Sequence, residues 1–429
     1  MPGDPHSFPE HSPLAELQLE RLIRLWQEIL PRNRFYARKF AKTNLSAAGI
    51  QSLAELTRLP FTTKAELLAD QEKNPPYGQN LTYPLARYCR LHQTSGTSGQ
   101  PLRWLDTQQS WNGLLACWET FFDVMRLQPD DRLFFPFSFG PYLGFWTAFD
   151  AAARRGFFCL PGGGLSSTAR LRFLLDHGVT VVLCTPTYAL HLAEIARKEG
   201  IDLVRSSVRY LIVAGEPGGS IAGTRSSIEA NWGARVFDHC GLTEVGPVGI
   251  ECPENPAGLH ILETEYLPEV IDPKTEEHAL PGETGELVLT NLGRWGSPLI
   301  RYRTGDLVQV GARSCPCGSG WLRLPGGILG RTDDMVHLRG NNFYPSALEN
   351  VIRRFREIAE YRVEIDQTGA LAVLRVEIEP VPAAAHSEIA DRVHKMIRDE
   401  LSFRAEVKEV APGTLPRFEL KARRILVRK

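Results

Sequence analysis

A chain of 429 residues with 49 Lys and Arg against 50 Asp and Glu is long enough for two or three domains and a sizeable core. Its near-balanced charge gives no electrostatic reason to expect nucleic acid or an anionic membrane as partner. No apolar run reaches the ~18 residues a membrane span requires, and the start MPGDPHSFPEHSP lacks the basic and apolar stretches of a secretory leader, so a cytoplasmic protein with reduced cysteines is expected.

Taken in chain order, LAELQLERLIRLWQEIL from Leu14 repeats apolar residues at helical spacing and predicts an amphipathic helix ended by Pro31. HQTSGTSGQPLRW, from His92, crowds glycines and hydroxyls between apolar runs. Such a stretch suits a phosphate group approached by backbone N–H donors, and equally a plain loop tip. From Arg132 to Cys240, RLFFPFSF, RGFFCLPG, VTVVLCTP, RYLIVAG and ARVFDHCG alternate with helical patterns. That texture predicts a largely parallel α/β sheet whose ligand rim lies beyond the strand ends, at 137–140, 162–164, Pro186, 215–217 and 238–244. After Gly282, GELVLTNL and SPLIRYRTGDLVQVG predict β structure. Beyond the turn-rich GGILGRTDD, the runs PSALENVIRRF, YRVEIDQTGALAVLRVEIEP and SEIADRVHKMIRDEL predict a helix, a hairpin and a second helix. The expected fold class is therefore α/β: a large N-terminal domain of layered α/β sheets with a β subdomain, residues 1–331, then a small α+β C-terminal domain, residues 332–429.

Two further groups of residues suggest sites. FPFSFGPYLGFW, ending at Trp146, supplies Phe137, Phe139, Gly140 and Tyr142 at a strand end, with Gly163 of PGGG opposite. These could wall a pocket for an aromatic or compact apolar acid, or be ordinary core. Cys315 and Cys317 of SCPCG, with Cys252 and His260 of ECPENPAGLHI, make a Cys3His set that suits a closed structural zinc site. Cys89, Cys117, Cys159 and Cys184 lie in apolar runs and are expected to be small core residues.

In order and spacing, TSGTSG, AGEP, DHCGLTEVG, YRTGD, GRTDDM and PGTLPRFELKARR resemble the adenylate-forming enzyme superfamily and, within it, the phenylacetate–CoA ligase family, from about Leu59 to Lys421. The resemblance implies that Thr94, Ser95, Gly96, Thr97, Ser98 and Gly99 embrace the phosphates of ATP. It implies that Gly215, Glu216, Pro217, Asp238, His239, Cys240, Gly241 and Thr243 flank the nucleotide, and that Glu244 holds Mg2+. Asp306 would accept from the ribose hydroxyls, Arg331 would reach ribose or phosphates, and Asp333 would be the hinge of a mobile C-terminal domain. Lys421 would stabilise charge as the carboxylate attacks the α-phosphate, and Gly340 would face the thiol tunnel. Some members carry zinc at positions matching Cys252, His260, Cys315 and Cys317. Three departures stand out: Gln100 where a lysine is frequent, Cys240 where many relatives have tyrosine, and Leu420 where glycine is usual.

The resemblance thus implies an acid–thiol ligase that makes an acyl-adenylate from ATP and a carboxylic acid, phenylacetate-like by preference, and passes the acyl group to coenzyme A. Alternatives are a carrier-protein thiol or amine as acceptor, a degenerate nucleotide-binding relative, and a zinc-stabilised scaffold. The expected partners are small molecules; a homodimer is left open.

Overall fold

The computed structural model describes residues 12–41, 43, 49–94, 100–333, 336–338, 341–343, 345–366, 373–381, 388–401, 404–419 and 421–428. Residues 95–99, Gly340 and Leu420, which carry expectations above, lie outside the described residues. The chain divides into two compact units, each assembled from three stretches. The first takes Met1–Asp130, Phe139–Cys159 and His239–Gly327; the second takes Asp131–Ser138, Leu160–Asp238 and Ile328–Lys429.

In the first unit the expected N-terminal helix spans Pro13–Ile29. The Ser12 side chain accepts from the Ala15 N–H and Pro13 opens the first turn, while Leu22, Leu25, Trp26 and Ile29 are buried along one face. Strands Tyr88–Gln93 and Arg103–Thr107 form an antiparallel pair. Thr107 then caps the helix Gln108–Val124, which buries Trp111, Trp118, Phe121 and Phe122. Residues 239–242 pair antiparallel with Gly246–Glu251, which pairs in turn with Gly258–Ile261, and that strand with Arg323–Pro325. A separate antiparallel set runs Tyr266–Ile271, Thr284–Asn291, Tyr302–Gln309. The three strands between Gly246 and Ile271 escape the alternation rule because they are buried at every position.

In the second unit, Arg132–Phe135, Val181–Cys184, Tyr210–Val213 and residues 235–238 run parallel, as the α/β texture predicts. Val181–Cys184 is buried throughout, which is why it reads as an unbroken apolar run. Helices Ser167–Asp176, Pro186–Lys198 and Ala222–Trp232 contribute Leu171, Leu192, Ile228 and Trp232 to one core with Phe134, Val182, Leu211 and Val236. The C-terminal stretch builds a four-stranded sheet in the order Ala405–Glu409, Val373–Pro380, Ile358–Asp366, Ile425–Arg428. Its central pair is the predicted hairpin, and Pro345–Ile352 and Ile389–Leu401 are the two predicted helices, burying Leu348, Val393 and Ile397 against Val363, Val376 and Ile378.

Two local expectations are corrected and one is met. Residues 238–242 do not lie beyond a strand end: Arg235–Leu242 is one strand, because its second half finds a new antiparallel neighbour at Gly246–Glu251. Asp306 lies inside the strand Tyr302–Gln309, within the β stretch expected there, and is buried. Of the four cysteines expected in the core, Cys117 and Cys184 are buried, Cys159 is half-buried and Cys89 is exposed. Cys89 begins the exposed run 89–91 of its strand.

Candidate active site

The loop expected to cradle phosphates is closed at its base by Thr94. Its N–H donates to the Leu102 carbonyl at 2.9 Å, and its hydroxyl accepts from the Leu102 N–H at 3.0 Å. The base of the turn between these two antiparallel strands is thereby held from both sides. His92, two residues earlier, stacks on Trp111 with ring centroids 5.4 Å apart. Burial pushes its pKa down to about 4, against the opposing pull of Asp106.

Glu244 lies in the tight turn 243–245 joining two antiparallel strands. It is only 4% exposed, and its Oε1 accepts from the Tyr302 hydroxyl at 2.8 Å. A buried carboxylate with one oxygen held by a phenol is a ready half-ligand for a hard cation. The preceding turn residue is fixed as well: Arg294 donates to the Thr243 carbonyl at 2.9 Å while its Nε and Nη2 grip the Asp106 carboxylate at 2.6 Å each. Both members of that ion pair are 1% exposed or less.

His239 packs against Trp118 and Phe121, at 4.5 and 5.4 Å between ring centres, and its Nδ1 lies 2.8 Å from the Gly249 carbonyl. Burial holds it neutral, with a pKa pushed down to about 4. Cys240 is half-buried. At YRTGD the strand register shifts. Gly305 takes φ +76°, the Thr304 hydroxyl donates to the Leu287 carbonyl at 2.7 Å, and the Asp306 N–H donates back to that hydroxyl at 3.0 Å. This bulge explains why a glycine stands in mid-strand: it re-aims the next side chain, that of Asp306.

In the second unit, Gly215 has φ +94°. A Cβ built there would stand 3.4 Å from Lys421 Cε, so the lysine stem runs past the bare glycine backbone. Glu216 spends both oxygens on backbone donors: the Thr187 N–H at 2.9 Å and the Ala422 N–H at 2.8 Å. The Asp238 carboxylate accepts from the Ser220 hydroxyl at 2.5 Å and crowds Gly219, where a Cβ would lie 2.5 Å from its Oδ1. Arg331 donates to Asp333 at 2.8 Å, an exposed pair on neighbouring turns of chain.

The expected pocket residues divide between the units. In the first, Phe139 packs on Trp146 and Phe149, at 4.5 and 5.2 Å, and the Tyr142 ring fills the space beside both Gly140 and Gly144. In the second, Phe137 packs edge-on to Phe135 at 6.4 Å, and a Cβ at Gly163 would come within 3.4 Å of the Phe137 carbonyl.

The four zinc-type residues do converge, all within the first unit. One ligand atom from each of Cys252, His260, Cys315 and Cys317 lies within 4.8 Å of every other. Cys252 Sγ is 3.6 Å from Cys315 Sγ, and Cys317 Sγ is 3.6 Å from His260 Nε2. These separations suit the edges of a tetrahedron about a metal with bonds of about 2.0–2.3 Å. Burial pushes the Cys252 thiol up to about 12, so a thiolate there needs a neighbouring positive charge.

Sequence reading missed Tyr302, Arg294 and Asp106, and the backbone role of Glu216. Tyr302 alone carried a signal, opening YRTGD two residues before a bulge on the strand that also presents Asp306.

The mixed α/β construction is that of the adenylate-forming ligases, to whose solved structures the chain is similar. Residues 55–293 match the family described as AMP-binding enzyme, and residues 340–429 match the AMP-binding enzyme C-terminal domain. The chain belongs to the AMP-binding enzyme family. It is 32% identical to the phenylacetate-coenzyme A ligase of Thermus thermophilus, over 96% of both chains. It is 30% identical to that of Escherichia coli, over 98% of this chain and 96% of the relative. Among solved structures, 2-hydroxyisobutyryl-CoA ligase in its postadenylation state, with an acyl-adenylate, matches with TM-score 0.91 and 29% identity, covering 97% of this chain and 90% of that one. The same ligase in its thioesterification state, with coenzyme A, matches at 0.72 and 29%, over 96% and 89%. This chain is an AMP-forming acid–CoA ligase that uses ATP, a small carboxylic acid and coenzyme A. Among the described residues no helix is long and apolar enough to cross a membrane.

Proposed function

We propose that the acid is phenylacetate or a close aromatic relative, adenylated in a first half-reaction and passed to coenzyme A in a second. The observation that carries the reading is the near full-length likeness, at 30–32% identity, to four phenylacetate-coenzyme A ligases. The aromatic side chains at Phe137, Phe139 and Tyr142 support an aryl group as the acid's body.

In the first half-reaction a carboxylate oxygen of the acid attacks the α-phosphorus of ATP, the bond to pyrophosphate breaks, and an acyl-adenylate remains. Thr94 and the glycine–hydroxyl loop 95–99 hold the β- and γ-phosphates; Asp306 accepts from the ribose hydroxyls and Arg331 reaches the ribose or phosphates. Gly215, Pro217, Asp238, Cys240, Gly241 and Thr243 border the nucleotide. Lys421 stabilises charge on the α-phosphate as the new bond forms. Glu244, oriented by Tyr302, would hold Mg2+, which supplies positive charge against the triphosphate. In the second half-reaction the sulfur of coenzyme A attacks the acyl carbon and AMP leaves. Residues from 332 onward form the domain that moves between the two, turning at Asp333, with Gly340 bordering the thiol's path. Cys252, His260, Cys315 and Cys317 would hold a structural zinc ion that ties two loops of the first unit together. Eight cysteines without a disulfide support a reducing, cytoplasmic setting.

The test is acid-dependent ATP–pyrophosphate exchange across aryl, arylacetic and short aliphatic acids, followed by thioester formation with coenzyme A. Exchange strongest with arylacetic acids is expected. Exchange with aliphatic acids alone would overturn the substrate reading, and adenylation without a coenzyme A thioester would move the acceptor to a carrier-protein thiol or an amine.

A further inference from the structure

The segment around Lys421 is pinned at three points within the second unit. Glu419 Oε1 accepts from the Ser167 hydroxyl at 3.1 Å, and its Oε2 faces Arg170 at 3.4 Å. Arg424, 7% exposed, donates to the Thr187 hydroxyl at 3.0 Å and grips Glu360 through Nε and Nη2 at 2.6 and 3.0 Å. Between these pins lies the third. Glu216 ties the Ala422 N–H, one residue after Lys421, to the N-terminal turn of the helix Pro186–Lys198 through the Thr187 N–H.

The third pin differs from the others. It acts on backbone directly adjacent to the lysine, it is made by an anion on N–H donors, and the anion sits where a helix dipole favours it. The neighbouring Gly215 leaves the lysine's stem room to pass. Each oxygen of this carboxylate already accepts one backbone N–H.

We propose that Glu216 is the positioning residue for Lys421: its carboxylate sets where the lysine's backbone stands during adenylation and lets go of Ala422 when the C-terminal segment leaves for thioester formation. This rests on Lys421 serving the first half-reaction. In the second half-reaction the Thr187 bond persists and Glu216 has no further task, so its loss affects one chemical step and spares the other.

The experiment compares full-length wild type, Glu216→Ala, Glu216→Gln, Lys421→Ala and the double variant Glu216→Ala with Lys421→Ala. Exchange of labelled pyrophosphate is followed with phenylacetate as probe acid, and thiolysis with supplied phenylacetyl-adenylate. Glu216→Ala is expected to lower the exchange kcat about 10²-fold, the loss typical of a misplaced catalytic group. Its KM for ATP and its thiolysis rate should stay within about twofold of wild type, and the double variant should be no slower than Lys421→Ala. Glu216→Gln, which keeps one acceptor oxygen, should fall between.

A raised KM for ATP with unchanged kcat would make Glu216 a nucleotide ligand and overturn the proposal, as would losses that multiply in the double variant. Wild-type exchange by Lys421→Ala would instead remove the lysine's role, and this proposal with it. Amide hydrogen exchange needs no acid and covers the case of a different substrate. The amide of Ala422 should exchange faster in both Glu216 variants while the sheet containing Ile358–Asp366 stays protected; unchanged protection at Ala422 sinks the proposal whatever the substrate, and Glu216→Gln suffices if the alanine variant does not fold.

Discussion

Single residues in this chain are set by unusually specific neighbours. Glu244 accepts from the Tyr302 hydroxyl through one carboxylate oxygen, which orients the group proposed to hold Mg2+. Tyr302→Phe removes the donor and leaves the carboxylate less well oriented, a change of about 1.5–3 kcal/mol for a hydrogen bond to a charged group. The expected outcome is a Mg2+ concentration for half-maximal pyrophosphate exchange raised by about tenfold or more, with exchange at saturating Mg2+ largely kept. An unchanged Mg2+ titration would separate the pair from metal binding. Lys421→Ala is expected to cut adenylation by about 10²–10³-fold while thiolysis of supplied acyl-adenylate proceeds; equal loss in both steps would deny the lysine a role confined to the first. Asp106 and Arg294 carry a different kind of consequence. With both groups buried, Asp106→Ala strands a guanidinium in the interior, and urea unfolding should show a loss of about 3–5 kcal/mol.

At the level of elements, the Cys3His cluster joins the chain after Gly246–Glu251, the strand Gly258–Ile261 and the loop carrying Cys315 and Cys317. Cys315→Ser is expected to lower both zinc content and Tm, and wild type found metal-free when prepared under reducing conditions would dispose of the zinc site. How far elements were legible follows from the range of the interactions that make them. The N-terminal helix, the parallel strands, the C-terminal hairpin and its helices announce themselves through local periodicity, and the structure has all of them. The four zinc-type ligands could be collected from two short motifs because residue chemistry, not distance along the chain, marks them. Tyr302 with Glu244, Arg294 with Asp106 and Glu216 with Ala422 lie 58, 188 and 206 residues apart. No local pattern marks such a pair, since each partner reads alone as an ordinary strand or loop residue. The extension of Arg235–Leu242 past Asp238 was hidden for the same reason: a strand continues where a neighbour is found, and the neighbour lies beyond a turn.

For the molecule as a whole, two of the buried histidines, His92 and His239, tie stability to pH. Each is held neutral down to about pH 4, whereas the unfolded chain protonates histidine below about 6.5. Between those values the unfolded state binds more protons, so stability present above pH 6.5 is lost as the pH falls towards 4, by roughly 3 kcal/mol for each. Urea midpoints at pH 7 and pH 5 should show the loss, and His92→Gln should make it shallower; an identical slope in the variant would acquit that residue. Asp333→Pro is expected to spare adenylation and slow thioester formation if the chain turns there, and an unaffected second step would place the turning point elsewhere. The threading of the chain has an outcome of its own. Each unit draws on three separated stretches, so neither exists as a continuous gene fragment. During synthesis the first unit lacks residues 239–327 until most of the polypeptide has emerged, leaving Trp118 and Phe121 of an early helix without their later partner His239. Cells making this enzyme must shelter that apolar helix for much of translation, and a message truncated near its midpoint should yield an aggregating product rather than a small soluble domain.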